Sequence, residues 1–424
     1  MPTTVKEQQR QRPQNEVAAG ERNNIISLKE NNVFIGDNLT IMSNPAFATA
    51  YENKVALIYI DPPYNTKNNF SYNDNQNSNE WLFFMRGRLS ASRNFLKEKG
   101  VIFISIDDSE YANLKILCDG IFGVNNCIGT FVTNQAKRSN AKLINTVHEY
   151  VLCYAKNINN VKPFEILRRE IPEDAEMIAF LEKSVKEEFH KNGTKSAEKL
   201  LQSLIVKYCK ERNISWLKNY SNVSSQGEIF FAKDLSTPSK PREVNIPEIG
   251  LKLMPLATRG WVSDKKFIAL HNAGRLVYRA GRPYHIHYLA ESKDNAPSIL
   301  NFYSRYGTKD LKKLGLDGIF DTPKPTAMIK YFIKLTCEKN DIVMDFFAGC
   351  GTTAQAVYEV NEEANLNLNF VLIQKEEIVN KNTEVFNSCI KLGVTPNIAS
   401  ILQKRLSTYI NLKGNKQRFN IVNL

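Results

Sequence analysis

The chain is 424 residues long, 42% apolar and 10% aromatic, enough for two or three domains with a sizeable core, which excludes a fibrous or wholly disordered protein. A formal charge of +12 favours a polyanionic partner, no apolar run approaches the ~18 residues of a membrane span, and no secretory leader pattern opens the chain. Seven cysteines without a C-x-x-C spacing fit a reduced cytoplasmic protein and exclude a disulfide scaffold.

Met1 to Asn24 is rich in Gln, Asn, Arg and Glu, a composition that predicts a disordered tail. From Asn32, short apolar runs alternate with helix-length segments. Val33-Phe34-Ile35, Val55 to Ile60, Val101 to Ile106 and Tyr150 to Tyr154 predict strands of a parallel sheet buried on both faces, with a crossover helix from about Glu80 to Glu98. Beyond Pro172, the charged stretch Glu173 to Arg212 predicts two helices broken at Asn192-Gly193. Lys266 to Leu270, Arg275 to Arg279 and Tyr284 to Tyr288 predict strands, the last two joined through Ala280-Gly281-Arg282-Pro283. From Pro323 the alternating pattern resumes, so two half-sheets are predicted to pack side by side around an interruption. The expected division is a tail over 1–24, sheet halves over 25–156 and 307–424, and an insert over 157–306.

Two motifs carry chemistry. Asp61-Pro62-Pro63-Tyr64 follows the run Val55 to Ile60 and supplies a carboxylate and a carbonyl that accept from one amino group, with a ring to stack on the base bearing it. The plain alternative for four such residues is a Pro-rich turn after a strand. Downstream, Asp345-Phe346-Phe347-Ala348-Gly349-Cys350-Gly351-Thr352-Thr353 reads as a strand end, a glycine turn and a helix start, which lets backbone amides approach a nucleotide-like ligand. The competing reading is a tight strand-to-helix turn without a ligand. Both motifs fall at predicted strand C-termini, where ligands of such sheets bind.

Taken together, the motifs resemble those of the amino-methylating DNA methyltransferases. Phe347-Ala348-Gly349-Cys350-Gly351 matches an AdoMet-binding F-x-G-x-G, and Asp61 to Tyr64 matches a catalytic D-P-P-Y. With the catalytic motif first, the chain is similar to the circularly permuted β group of that family. Gly36-Asp37-Asn38-Leu39, Trp81 to Leu89, Gly100 to Asp108, His148 to Leu152 and Pro323-Lys324-Pro325 look most like the modification subunits of type III restriction systems. The resemblance covers roughly residues 30–156 and 274–376; the segment between matches no motif and resembles, in position, a target-recognition domain.

The resemblance implies a doubly wound, Rossmann-like α/β sheet, S-adenosyl-L-methionine (AdoMet) as cofactor, and methyl transfer to the N6 amine of a flipped adenine in double-stranded DNA, within a prokaryotic restriction-modification system. It makes Asp61, Pro62, Pro63 and Tyr64 catalytic. It places Asp37, Asp61, Lys324, Pro325, Asp345, Phe347, Ala348, Gly349, Gly351, Thr352, Thr353 and Gln374 around the cofactor. Asp37 alone reads equally well as a helix cap, and Gln374 stands where the family often has an acid for the ribose hydroxyls. A homodimer and a restriction subunit are partners the resemblance leaves open.

The basic balance is local: from Ser236 to Lys313 there are fourteen Lys and Arg against six Asp and Glu. Arg259, Lys265, Lys266, Arg275, Arg279 and Arg282 are the expected phosphate contacts, against the bland reading of a solvated basic surface. His285 and His287 alternate along a predicted strand with no third ligand evident, so no metal site is expected. Asp at position 61 resembles the adenine-directed members, and the absence of a Pro-Cys pair disfavours cytosine C5 chemistry. A cytosine N4 DNA methyltransferase, an RNA or protein amine methyltransferase and a non-catalytic specificity subunit of the same fold are the alternatives.

Overall fold

The computed structural model describes residues 26–66, 77–134, 143–414, 418–422 and 424; the predicted tail over 1–24 lies outside them. The chain divides into two compact units, residues 1–164 with 297–424 and residues 165–296, where the sequence suggested an insert over 157–306.

The first unit is built on a nine-stranded sheet. Its strands in chain order are β1 (Asn31–Ile35), β2 (Val55–Ile60), β3 (Leu96–Ile106), β4 (Cys127–Asn134), β5 (His148–Ala155), β6 (Ile299–Leu300), β7 (Ile342–Asp345), β8 (Asn369–Gln374) and β9 (Phe419–Val422). Across the sheet they run β6-β4-β5-β3-β2-β7-β8-β1-β9. Neighbours pair in parallel except at β5, which is antiparallel to β3 and to β4.

Chain direction and sheet position together fix the layers. The step from β2 to β3 moves one way along the sheet and the step from β7 to β8 moves the other, so right-handed crossovers put their helices on opposite faces. Side chains agree. Ile58 and Ile60 pack with Trp81, Met85 and Leu89 of the helix Ser78–Phe95. On the other face Tyr59 stacks on Phe332 of the helix Thr326–Thr336 at 6.2 Å, and Phe370 of β8 meets Tyr358 of the helix Thr352–Ala364 at 5.4 Å. All six residues of β2 are buried, which is why it reads as an unbroken apolar run. The seam between β2 and β7 is therefore the point where the winding reverses, and such sheets open a crevice there at their strand C-termini.

The predicted crossover helix ends earlier than expected, at Phe95, because Leu96 already pairs with Val55 of β2. Asn77 starts it by accepting from Glu80 N.

The second unit begins with the helical span Pro172–Glu211, broken at Gly193, whose φ of 79° and ψ of −178° leave the helical region at the expected place. Ser196 donates to Glu188 across the break, and Asn192 donates to the same carboxylate from before it. Leu181, Val185, Leu201 and Ile205 of this span form one core with Val223, Ile229 and Leu289. The expected hairpin is present: Leu276–Arg279 pairs antiparallel with Arg282–Tyr288, and Ala280 and Gly281 carry the positive φ angles, 45° and 74°, that a two-residue hairpin turn with the favoured twist demands. Lys266 to Leu270 is not a strand. It lies in the helix Asp264–Asn272, where the Ser263 side chain caps Lys266 N, Asp264 fills the first turn, and Phe267 and Leu270 bury at helical spacing. Cap and spacing outweigh the β-like look of five residues.

Candidate active site

Four neighbouring strands, β2, β7, β8 and β1, bring their C-terminal ends to one edge of the sheet. Met344 pairs with Ile58, so Asp345 at the end of β7 and Asp61 just beyond β2 stand on the same edge. Ile35 pairs with Gln374, which puts the end of β8 beside the turn Gly36-Asp37 after β1. A cleft of about 260 Å³ opens over this edge. Of the predicted residues, Asp61, Pro62, Pro63, Tyr64, Lys324, Asp345, Phe347, Ala348, Gly349, Thr352, Thr353 and Gln374 line it; Asp37, Pro325 and Gly351 do not.

At the catalytic end the turn after β2 is pinned by Trp81, whose Nε1 donates to Pro63 O at 2.7 Å. Lys324 Nζ is the hub of this corner. It lies 2.7 Å from Glu149 Oε2, 2.6 Å from the Tyr64 hydroxyl, 3.3 Å from Asp61 Oδ1 and 4.8 Å from the centre of the Tyr64 ring. Two carboxylates keep the Lys324 ammonium charged despite its burial and push its pKa upward. Burial drives the Asp61 carboxyl above its ordinary range; Lys324 opposes the rise and Glu149 adds to it. Of the two carboxylates Lys324 sits closer to Glu149, so Asp61 is the looser partner and keeps lone pairs for another donor. Lys324 thus belongs to the corner of the Asp61–Tyr64 turn, and Pro325, expected beside the cofactor, occupies the N-cap position of the helix Thr326–Thr336.

Glu149 carried no signal of its own in the sequence. It reaches the corner because β5 runs antiparallel: Ile106 pairs with Tyr150, so the start of β5 lies level with the ends of the parallel strands. Only the sheet order brings a residue that opens one strand to residues that close another.

The glycine turn is held from both sides. Phe347 N donates to Asp345 Oδ1 at 3.0 Å and Thr353 Oγ1 to Asp345 Oδ2 at 2.5 Å, while Gly349 N donates to Gln374 Oε1 at 2.7 Å. Gln374 therefore ties the turn to β8. Gly351, with φ of 83°, faces away from the cleft: a Cβ there would lie 2.7 Å from Leu406 Cδ1. Glycine is needed at 351 by helix packing and not by the close ligand approach expected from the sequence. Asp37 caps the next helix through Thr40 N at 3.0 Å and pairs with Arg88 at 2.8 Å, and Asn38 reaches the turn through Phe346 O at 2.7 Å.

Burial lifts Asp345 to about 7, with Asp61 adding to the rise against the Thr353 and Phe347 hydrogen bonds. The folded state then holds the proton more tightly than the unfolded chain. Stability is fully present below the ordinary value of 3.8 and is lost as pH rises through about 7. Asp345→Asn should flatten the fall in melting temperature between pH 4 and 8 that wild type shows in thermal unfolding; an unchanged pH slope would contradict this.

The expected DNA contacts lie in the second unit, and several are already engaged there. Arg275 makes a two-point contact with Glu291 at 2.9 and 2.6 Å, Arg282 pairs with Asp234 at 2.9 Å, Arg279 donates to Asn222, and Arg259 Nε donates to Ser236 Oγ at 2.8 Å. Lys265 and Lys266 are exposed on the first turn of their helix. His285 and His287 lie with their ring centres 3.9 Å apart and the rings tilted by 57°, both pKa values lowered by burial and by Lys233 and Lys266, and among the described residues no group of three potential ligands is arranged to hold a metal.

The chain matches the N6/N4 methyltransferase family model, described as DNA methylase, over residues 55–384. It is 30% identical over 411 residues to the type III restriction-modification enzyme EcoPI Mod subunit of Escherichia phage P1, covering 84% of this chain and 59% of that one. It is 32% identical to the StyLTI Mod subunit of Salmonella typhimurium, covering 83% and 53%, and 29% identical to the type II methyltransferase M.KpnI of Klebsiella pneumoniae, covering 84% and 83%. The chain thus spans a little over half the length of these two Mod subunits. Among solved structures, the PvuII cytosine-N4-specific DNA methyltransferase is 11% identical over 92% of this chain and 95% of that one, with a TM-score of 0.42.

Proposed function

The chain belongs to the DNA methylase family, and from that premise we propose that it transfers a methyl group from AdoMet to the N6 amine of a flipped adenine in double-stranded DNA, as the modification component of a restriction system. One observation carries the reading. The Asp61–Tyr64 turn and the Asp345–Thr353 turn, separated by more than half the chain, line a single cleft at the reversal point of the sheet.

The residues present fit the cofactor. Five carboxylic side chains and one lysine line the cleft, a balance that favours a sulfonium cation, and Gly349 leaves the wall open where a side chain would point at Phe320. Phe347 and Ala348 would hold the nucleoside side, with Thr352 and Thr353 at the helix start and Gln374 across from Gly349. When bound, AdoMet supplies an electrophilic methyl group.

The exocyclic amine of adenine is a poor nucleophile because its lone pair is delocalised into the ring. Asp61 and the Pro62 carbonyl accept its two hydrogens and favour a pyramidal nitrogen with its lone pair aimed along the line of attack. Tyr64 stacks on the base and returns roughly 1–3 kcal/mol of the few kcal/mol that flipping costs. Glu149 and Lys324 keep Tyr64 and Asp61 in register: Tyr64 donates to Glu149 at 3.2 Å while Lys324 holds all three. Transfer is direct, without a covalent intermediate on the protein, and the rate comes from orienting two bound reactants.

Residues 157–306 are proposed as the target-recognition region. Because Arg275 and Arg282 are bound to acids, exposed Lys265 and Lys266 are the better phosphate contacts. Replacing both by alanine should weaken binding to all duplexes alike and lower the slope of log affinity against log salt by about two units, read from titrations at several salt concentrations. An unchanged slope would place the DNA path elsewhere. Long-read sequencing sensitive to methylation, on DNA from cells expressing the chain, tests the activity: modified adenine at a fixed motif is expected, and modified cytosine or no modification would overturn the adenine reading.

A further inference from the structure

Arg405, on the helix Ile398–Lys413, is completely buried, at 0% exposure. A guanidinium out of water needs an anion beside it, or its burial is costly. Yet none of its hydrogen bonds runs to a carboxylate: Nε donates to Gln355 Oε1 at 3.0 Å, one terminal nitrogen to Thr352 Oγ1 at 2.7 Å and Cys350 Sγ at 3.0 Å, the other to Thr326 Oγ1 at 3.3 Å. Two acids lie one residue removed in this network: Glu359, which accepts from Gln355 and is already paired with Lys330 at 2.9 Å, and Asp310, which accepts from Thr326 N at 3.1 Å. Positive charge is left behind the glycine turn without a direct counter-ion among the described residues. Two of the groups Arg405 holds, Cys350 and Thr352, line the cleft.

The hydrogen-bond directions sharpen this. Arginine only donates, so the Thr352 oxygen is occupied as an acceptor and its proton must go elsewhere. Cys350 Sγ, 3.7 Å away and itself taken by Arg405, is a weak acceptor. The Thr352 hydroxyl is thereby left as a donor to whatever enters the cleft.

We propose that Arg405 is a positioning residue for the carboxylate of the cofactor's amino-acid end, supplying the counter-charge from behind the turn and fixing Thr352 as the donor that touches that carboxylate. The inference rests on the cofactor assigned under the proposed function. A ligand that lacks the carboxylate gains nothing from Arg405, and this separates positioning from mere support of the fold.

The test is calorimetric titration of the full chain with S-adenosylhomocysteine and with its decarboxylated form, which lacks only the carboxylate. Arg405→Gln should weaken S-adenosylhomocysteine by at least about tenfold, the scale of one hydrogen bond to a charged group, and the decarboxylated ligand by less than about twofold. Arg405→Lys, which keeps the charge, should recover part of the loss. An equal loss for both ligands, or no loss, would overturn the proposal. If Arg405→Gln does not fold, Thr352→Val carries the test, since it removes the hydroxyl and leaves the buried charge: the same selective loss supports the proposal and an unchanged affinity ratio overturns it. Wild-type protein that binds neither ligand would overturn the cofactor assignment and this inference with it, whereas selective binding by wild type with unselective variants overturns the inference alone.

Discussion

Asp61→Ala loses methyl transfer by at least about a hundredfold in a labelled-methyl assay, the scale seen when one group that organises a transition state is deleted, while affinity for AdoMet and for DNA stays largely intact. The carboxylate stands at the end of a strand whose six residues are buried on their own account, so the fold does not depend on it. What remains in the corner is Lys324 paired with Glu149 at 2.7 Å, which leaves the ammonium compensated. Asp61→Asn is the finer probe: it keeps the shape but turns one acceptor oxygen into a donor facing an amine that also donates. Near-wild-type turnover in either variant would sink the mechanism. Tyr64→Ala should cost more than Tyr64→Phe, because the ring is asked to stack and the hydroxyl only to hold Lys324 and Glu149.

Valine at the two glycines of the turn should fail in two different ways. At Gly351 the φ of 83° and a Cβ only 2.7 Å from Leu406 and 3.3 Å from Leu402 put strained backbone and overpacking in one place. Together they should cost about 3 kcal/mol or more, visible as a lowered melting temperature with or without ligand. At Gly349 the φ is 53° and the nearest atom to a Cβ is Phe320 Cζ at 3.5 Å, an ordinary contact within the cleft. That variant should fold, with a smaller penalty, and lose AdoMet binding in calorimetry. Unchanged affinity in folded Gly349→Val would mean that this glycine, too, serves only the turn.

The difference between those glycines shows what the sequence carried and what it did not. Both motifs and the alternating strands were legible because each is a local pattern, a buried strand being an apolar run; that the two halves meet in one sheet followed from neither having enough strands to bury itself alone. The break at Gly193 and the hairpin turn at Gly281 were legible as local patterns too, since positive φ favours glycine, whereas Ala280 takes a positive φ that its residue type does not signal. Glu149, Arg405 and the true neighbour of Gly351 were not legible, because each depends on which distant element packs against the motif. The helix over Asp264–Asn272 was misread from a five-residue window when the deciding signal, Ser263 with Asp264, lay just outside it.

The seam between β2 and β7 also governs when the molecule becomes complete. Residues 55–60 leave the ribosome long before residues 342–345, yet the two strands are hydrogen-bonded neighbours. Until the later strand arrives, β2 presents an open edge of unpaired backbone N–H and C=O groups flanked by apolar side chains, the kind of edge that recruits stray strands. Everything made in the meantime, the entire second unit included, lengthens that exposure. Since the entropic cost of closing a loop grows only slowly with its length, the stability of the finished sheet is nearly indifferent to the size of the insert; the hazard of a large one falls on synthesis. A lineage free to vary the intervening segment thus bears the cost as time spent half-made.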